Sequence, residues 1–159
     1  EAIIAEINLR SNYLGTMVQT IYFGGGTPSL LSEIQLVQIL TAINKTFDVS
    51  NDVEITLECN PDDLDEPKLI GLKKAGVNRL SIGIQSFDDD VLQSMNRAHN
   101  SEEALNVISL ANKAGFDNIT ADLIYGIPNK KEDYWRSQDQ TMLSQNVQHI
   151  SAYCLTIEP

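Results

Sequence analysis

Residues capable of chemistry recur in this chain at the points where apolar runs stop. Thr20-Ile21-Tyr22-Phe23 drops into Gly24-Gly25-Gly26-Thr27-Pro28, and Val53 to Leu57 ends at Glu58-Cys59-Asn60-Pro61. Arg79 to Ile84 ends at Gln85-Ser86, the run from Ile119 carries Asp122 just before Gly126-Ile127-Pro128, and the last run ends at Thr156. Three consecutive glycines strip a loop of side chains and let backbone N–H and C=O groups approach a ligand closely. Pro28 fixes φ, so the loop leaves its strand along a preset path. Glu58 and Asp122 supply acceptors, Gln85 supplies a donor and an acceptor, and Thr156 a hydroxyl. A single polar residue at a strand end is usually a turn-former. Several on one rim favour a site for a polar ligand.

The elements that must position these groups alternate. Ser32 caps a helix with Gln35 at capping-box spacing, and Leu36, Val37, Leu40, Ile43 and Phe47 then share one face. A second helix starts near Asp65, with Pro67 in its first turn, and stops at Gly76. A short helix begins at Asp88, and a longer one spans Ser101 to Gly115 with Leu105, Ile108 and Ala111 inward. A polar helix carrying Trp135, expected to anchor it to the sheet, leads to the fifth strand, Ile150 to Leu155. One βα unit in roughly 30 residues implies a parallel sheet with helices outside. No linker or low-complexity run interrupts it, so residues 1–159 read as one domain.

The strand faces narrow the architecture. Ile55 and Leu57 oppose Glu54, Thr56 and Glu58; Leu80, Ile82 and Ile84 oppose Ser81, Gly83 and Gln85; Ala121 and Leu123 oppose Thr120 and Asp122. A doubly wound sheet would be apolar on both faces, and a closed eight-stranded barrel would be filled with Val, Ile and Leu. The expected fold is therefore α/β, an open partial (β/α) barrel of parallel strands with outer helices and a wet, polar interior. In barrels the C-terminal strand ends carry the active site.

Composition removes other classes. The chain has 159 residues, a net charge of -11 and 42% hydrophobic residues, which describes a globular domain with a real core. Basic residues cluster no further than pairs such as Lys130-Lys131, which argues against nucleic acid or an anionic membrane as partner. There is no apolar run of about 18 residues, hence no integral membrane segment, and the N-terminus lacks a signal peptide. The chain begins within an amphipathic helical pattern without Met, as a piece of a longer protein would. Cys59 and Cys154 are far apart and without CxxC partners, so each reads as a small buried hydrophobe in a reducing compartment, the cytoplasm. His99 and His149 read as surface or capping residues, and Tyr125 as a packing residue near the cavity.

Five motifs in order then carry a resemblance: Tyr22-Phe23-Gly24-Gly25-Gly26-Thr27-Pro28-Ser29, Leu57-Glu58-Cys59-Asn60-Pro61, Leu80 to Phe87, Met95-Asn96-Arg97, and Asp122-Leu123-Ile124-Tyr125-Gly126-Ile127-Pro128. Together they resemble the radical S-adenosylmethionine (SAM) family that includes oxygen-independent coproporphyrinogen III oxidase and its heme-chaperone paralogue. The resemblance runs from about Ile21 to Pro159. It implies SAM contacts at Gly25, Gly26, Thr27, Glu58, Gln85, Arg97, Asp122 and Thr156. Arg97 would meet the methionyl carboxylate with a bidentate fork, Glu58 or glycine-loop carbonyls the ammonium, and Gln85 and Asp122 the ribose.

The family's CxxxCxxC motif, which holds a [4Fe–4S] cluster, is missing: none of the 23 residues before Gly24 is cysteine. The resemblance thus implies an internal fragment, inactive alone, whose parent uses SAM, a [4Fe–4S] cluster and an electron donor. Three functions stay open. One is radical oxidative decarboxylation of coproporphyrinogen III in porphyrin metabolism. The second is a chaperone that binds and transfers heme without oxidase activity, whose wording Asn78 to Phe87 and His149 to Leu155 resemble more closely. The third is a small-molecule-binding α/β domain of other chemistry.

Overall fold

The structure, a computed structural model, describes residues 1–156. The end of the resemblance, residues 157–159, lies outside them. Five parallel strands form one sheet in the order β1-β2-β3-β4-β5: β1 Val18–Phe23, β2 Val49–Cys59, β3 Arg79–Gln85, β4 Ile119–Tyr125 and β5 His149–Cys154. Each strand pairs with its sequence neighbour. Sequential parallel pairing winds the chain in one direction, the half-barrel expected from the alternation and not a doubly wound sheet.

Helix α1, Ala2–Leu9, precedes the sheet, and the others fill the crossovers: α2 Glu33–Thr46, α3 Glu66–Ala75, α4 Asp89–Ser94, α5 Ser101–Lys113 and α6 Glu132–Leu143. Local chemistry starts and stops them. Ser32 makes the full capping box with Gln35, Asp65 and Asp88 cap α3 and α4, and Asn100 with Glu103 makes a second capping box on α5. The core lies between sheet and helices, where Leu57, Leu80, Ile82 and Leu123 of the strands meet Leu36, Leu69, Leu72 and Ile108. Trp135 packs on this core and against Tyr125, ring centroids 5.5 Å apart.

Several expectations need correction. Val37 and Leu105 are exposed, because the buried stripes run through Leu36, Ile39 and Leu40 and through Ala104, Val107, Ile108 and Ala111. One residue along a helix turns about 100° and leaves such a stripe. The second strand starts four residues earlier than Val53, at Val49, which pairs with Val18 of β1 before the register shifts and Glu54 pairs with Thr20. Cys154 is exposed, because it ends edge strand β5, which is mostly uncovered. His99 is buried, 3% exposed, and belongs to the interior and not to the surface. Helix α1 forms, yet buries none of its residues.

The floor of the half-barrel explains how a polar inner face is tolerated. Arg79 donates to Glu54 Oε1 (3.4 Å), Thr56 Oγ1 (3.3 Å) and Thr120 Oγ1 (2.7 Å), and Asn118 donates to Glu54 Oε2 at 3.3 Å. One guanidinium thus ties three strands and satisfies hydroxyls that are nearly inaccessible. The opposite, C-terminal rim is left free.

Candidate functional site

Glu58, the penultimate residue of β2, fixes the glycine loop. Its Oε2 accepts the Gly25 N–H at 3.1 Å, and its Oε1 accepts the Tyr22 hydroxyl at 2.8 Å. Burial, reinforced by this carboxylate, pushes the Tyr22 phenol up and keeps it a donor. Gly25 and Gly26 both take positive φ, 77° and 62°, a backbone path costly for any residue with a Cβ. The triple glycine is therefore a shaped loop.

At the end of β3 the strand is bent on purpose. Ile82 faces Ala121 but Gln85 faces Leu123, so β3 carries one extra residue, a β-bulge. Gln85 has φ of 68°, and Ser86 N–H donates to Ile84 C=O at 2.8 Å, which closes a γ-turn around it. A glutamine in this region costs on the order of 1–3 kcal/mol, strain that concentrates at functional sites. The turn lays the Gln85 amide over Gly83: a Cβ on Gly83 would lie 2.9 Å from Gln85 Nε2 and 3.4 Å from Arg97 Nη2.

Arg97 reaches the same spot from α4. That helix ends with Asn96 at φ 55° and Arg97 N–H bonded to Leu92 C=O at 2.9 Å, a Schellman-type exit that turns the chain back over the rim. Arg97 Nη2 donates to Asn60 Oδ1 (2.9 Å) and to Gly83 C=O (3.1 Å), leaving further donors of the fork unengaged by these two bonds. Asn60 in turn belongs to a network with Asp63 and Ser29, which connects the guanidinium to the glycine loop.

Asp122 projects from the middle of β4. Burial pushes its carboxyl above the usual range, the Glu58 charge adds to this, and the Ser151 hydroxyl and His149 oppose it. Among the described residues neither Glu58 nor Asp122 has a salt-bridge partner. Two carboxylates that feel each other without a cation make a region of negative potential.

These groups line two adjoining cavities. Gly26, Thr27, Glu58, Gln85 and Asp122 surround one of about 190 Å³. Arg97, Thr156 and again Gln85 border a second of about 660 Å³, whose other walls include Ile124, Ile127, Pro128 and Leu155. Gln85 stands between them. The structure thus brings the eight expected residues to one rim, with Gly25 joined through its bond to Glu58. The arrangement suits an extended ligand with positive charge at one end, an anionic group within reach of Arg97, and an apolar portion.

Sequence reading missed Tyr22, Asn60, Gly83 and Ser151 as contributors. Gly83 had a signal, an isolated glycine inside a strand, which marks close approach. Asn60 and Ser151 had none, since their roles depend on pairing across strands. Cys59 borders the smaller cavity, but burial pushes its thiol up to about 12, so it stays neutral and inert, as expected of a buried hydrophobe. His149 is exposed at the start of β5, and Tyr125 packs on Trp135.

A half-barrel of parallel strands with a shaped glycine loop and polar strand ends on one rim defines a class, and residues 1–139 match the Radical SAM superfamily, to which this chain belongs. Within that superfamily its likeness is to HemN and HemW. The chain is 42% identical over 143 residues to the heme chaperone HemW of Bacillus subtilis, spanning 89% of this chain and 38% of that protein. It is 37% identical over 145 residues to HemW of Escherichia coli, again 38% of that protein. Among solved structures, the radical SAM enzyme coproporphyrinogen III oxidase HemN of E. coli superimposes with a TM-score of 0.88 at 28% identity, covering 99% of this chain and 37% of HemN. The archaeal Elp3 of Methanocaldococcus infernus shares the fold, with a TM-score of 0.75 at 17% identity. The chain therefore spans less than two fifths of the length of these relatives.

Proposed function

We propose that this half-barrel binds SAM for a heme-handling protein and that its role is closer to heme chaperoning than to coproporphyrinogen oxidation. The observation that carries the SAM assignment is the unpaired carboxylate couple, Glu58 and Asp122, on the same rim as Arg97. SAM is cationic at sulfur and nitrogen and anionic at its carboxylate, which matches that polarity. Arg97 holds the methionyl carboxylate. Glu58, together with glycine-loop groups from Gly25 to Thr27, orients the ammonium, and Gln85 and Asp122 take the ribose hydroxyls. The apolar walls near Thr156 shelter the base. In this reading the chain's own residues bind and orient.

The residues present do not fit a [4Fe–4S] cluster. Cys59 is buried and held neutral, Cys154 is exposed at the end of β5, and no cluster of potential metal ligands occurs among the described residues. We therefore assign no step of radical generation to these residues, and the ligands of a cluster are not among them. These 159 residues, reconstituted anaerobically with iron and sulfide, are expected to show no iron–sulfur absorbance, and a stable cluster signal overturns that reading.

What supports the chaperone over the oxidase is the degree of likeness, 42% and 37% to proteins named heme chaperone HemW against 28% to HemN. Unpaired cysteines support a cytoplasmic setting. The deciding experiment compares full-length protein titrated with heme against the same protein given SAM, reductant and coproporphyrinogen III. Stoichiometric heme uptake without turnover is expected. Decarboxylated product favours the oxidase instead, and failure to bind SAM at all favours a small-molecule domain of other chemistry.

A further inference from the structure

The strained turn at Gln85 is held by a residue that lies some fifty positions further along the chain. Gln138, on α6, is 6% exposed, and its Oε1 accepts the Phe87 N–H at 2.6 Å and the Ser86 hydroxyl at 3.1 Å. Ser86 is fully buried and has one proton to give. Having spent it on Gln138, its oxygen accepts the Asp88 N–H at 3.0 Å and the Tyr134 hydroxyl at 2.7 Å. Lys130, in the loop leading to α6, adds an ion pair to Asp88 at 2.7 Å. The segment after Gln85 is thus tied to α6 and its entry loop through the Ser86 hydroxyl, the Phe87 N–H and the Asp88 carboxylate, while on the other side His99 is bonded to Ile84 C=O at 3.0 Å.

A γ-turn with positive φ at glutamine relaxes unless its surroundings over-determine it. Gln138 is the one group in this network that bonds to both residues following Gln85. Its own contact with the ligand cavities is nil, for it lines neither. We infer that Gln138 is a positioning residue of the ligand site: by accepting from Ser86 and Phe87 it keeps Gln85 turned over Gly83, so that the position of α6 and the affinity of the rim for its ligand are coupled. As a statement about SAM this rests on the function proposed above.

The test uses full-length protein and four variants: Gln138→Leu, Gln138→Glu, Gln85→Ala, and Gln138→Leu with Gln85→Ala. SAM binding is read by calorimetry, and amide exchange at Ser86 and Phe87 by mass spectrometry. Gln138→Leu removes the acceptor and is expected to weaken SAM about tenfold (about 1.4 kcal/mol) and to speed exchange at Phe87. Gln138→Glu keeps an acceptor oxygen at the position of Oε1 and is expected to restore both readouts to near wild type, which a loss of packing alone would not explain. The double variant is expected to bind SAM no worse than Gln85→Ala, because both changes act through one side chain. SAM affinity unchanged in Gln138→Leu, or losses that simply add in the double variant, overturns the inference while leaving SAM binding intact. A wild type that binds no SAM overturns the functional reading and the pocket role of Gln138 with it.

Discussion

Replacing Gly83 by alanine separates the site from the scaffold. Gly83 lies inside β3 and does not have positive φ, so an L-residue is tolerated by the backbone there. The added Cβ meets Gln85 Nε2 at 2.9 Å, Arg97 Nη2 at 3.4 Å and Cys59 C=O at 3.8 Å. Both close contacts are the far ends of flexible side chains, so the fold adjusts cheaply. Loss of glycine freedom in the unfolded chain offsets this by about 0.4–1 kcal/mol. What must give way is the Gln85 amide and, with it, the guanidinium bonded to Gly83 C=O. Hydrogen bonds to charged groups are worth about 1.5–3 kcal/mol, which corresponds to roughly ten- to a hundredfold in affinity. Calorimetric titration with SAM and thermal melting of the same samples are expected to show that loss of affinity with an unchanged or slightly higher Tm. Unchanged affinity refutes the packing of Gln85 and Arg97 over Gly83. A large fall in Tm refutes the separation of site from scaffold.

Arg97→Lys keeps the charge but loses the fork that meets Asn60 and Gly83, so SAM affinity is expected to fall about tenfold with little change in Tm. Asp122 is pushed up by burial, so the folded state binds its proton more tightly than the unfolded chain does. Its ionised form therefore costs stability at neutral pH, and the cost is relieved as pH falls through the raised value. Asp122→Asn is expected to be more stable than wild type near neutrality, with the gap closing toward acid in urea titrations, while SAM binding weakens. His99 is shifted the other way: burial lowers its pKa, outweighing Asp62 at 3.7 Å and the charge of Glu103. Stability is expected to fall as pH drops below the ordinary histidine value of 6.5, and His99→Gln should flatten that stretch of the profile.

The half-barrel was legible because its signals are local. Alternation of oily and polar residues along β2, β3 and β4 follows from the strand period, and the caps at Ser32, Asp65 and Asp88 from short-range hydrogen bonding. The rim was legible to the extent that each strand ended on a polar residue. What stayed hidden depends on register. The bulge that leaves Gln85 at positive φ, the Arg79 floor and the Gln138 bonds all join residues many positions apart. His99 was misjudged for the same reason: it is buried where its ring bonds the carbonyl of Ile84, fifteen residues earlier. Cys154 was misjudged because sequence does not reveal which strand is the edge.

A structure of the full-length protein with SAM bound tests the central claim most directly. The methionyl carboxylate is expected on Arg97, the ribose within hydrogen-bond reach of Gln85 and Asp122, and the ammonium against Glu58 and the glycine loop. SAM bound elsewhere, or seated with Arg97, Glu58 and Asp122 all untouched, contradicts it.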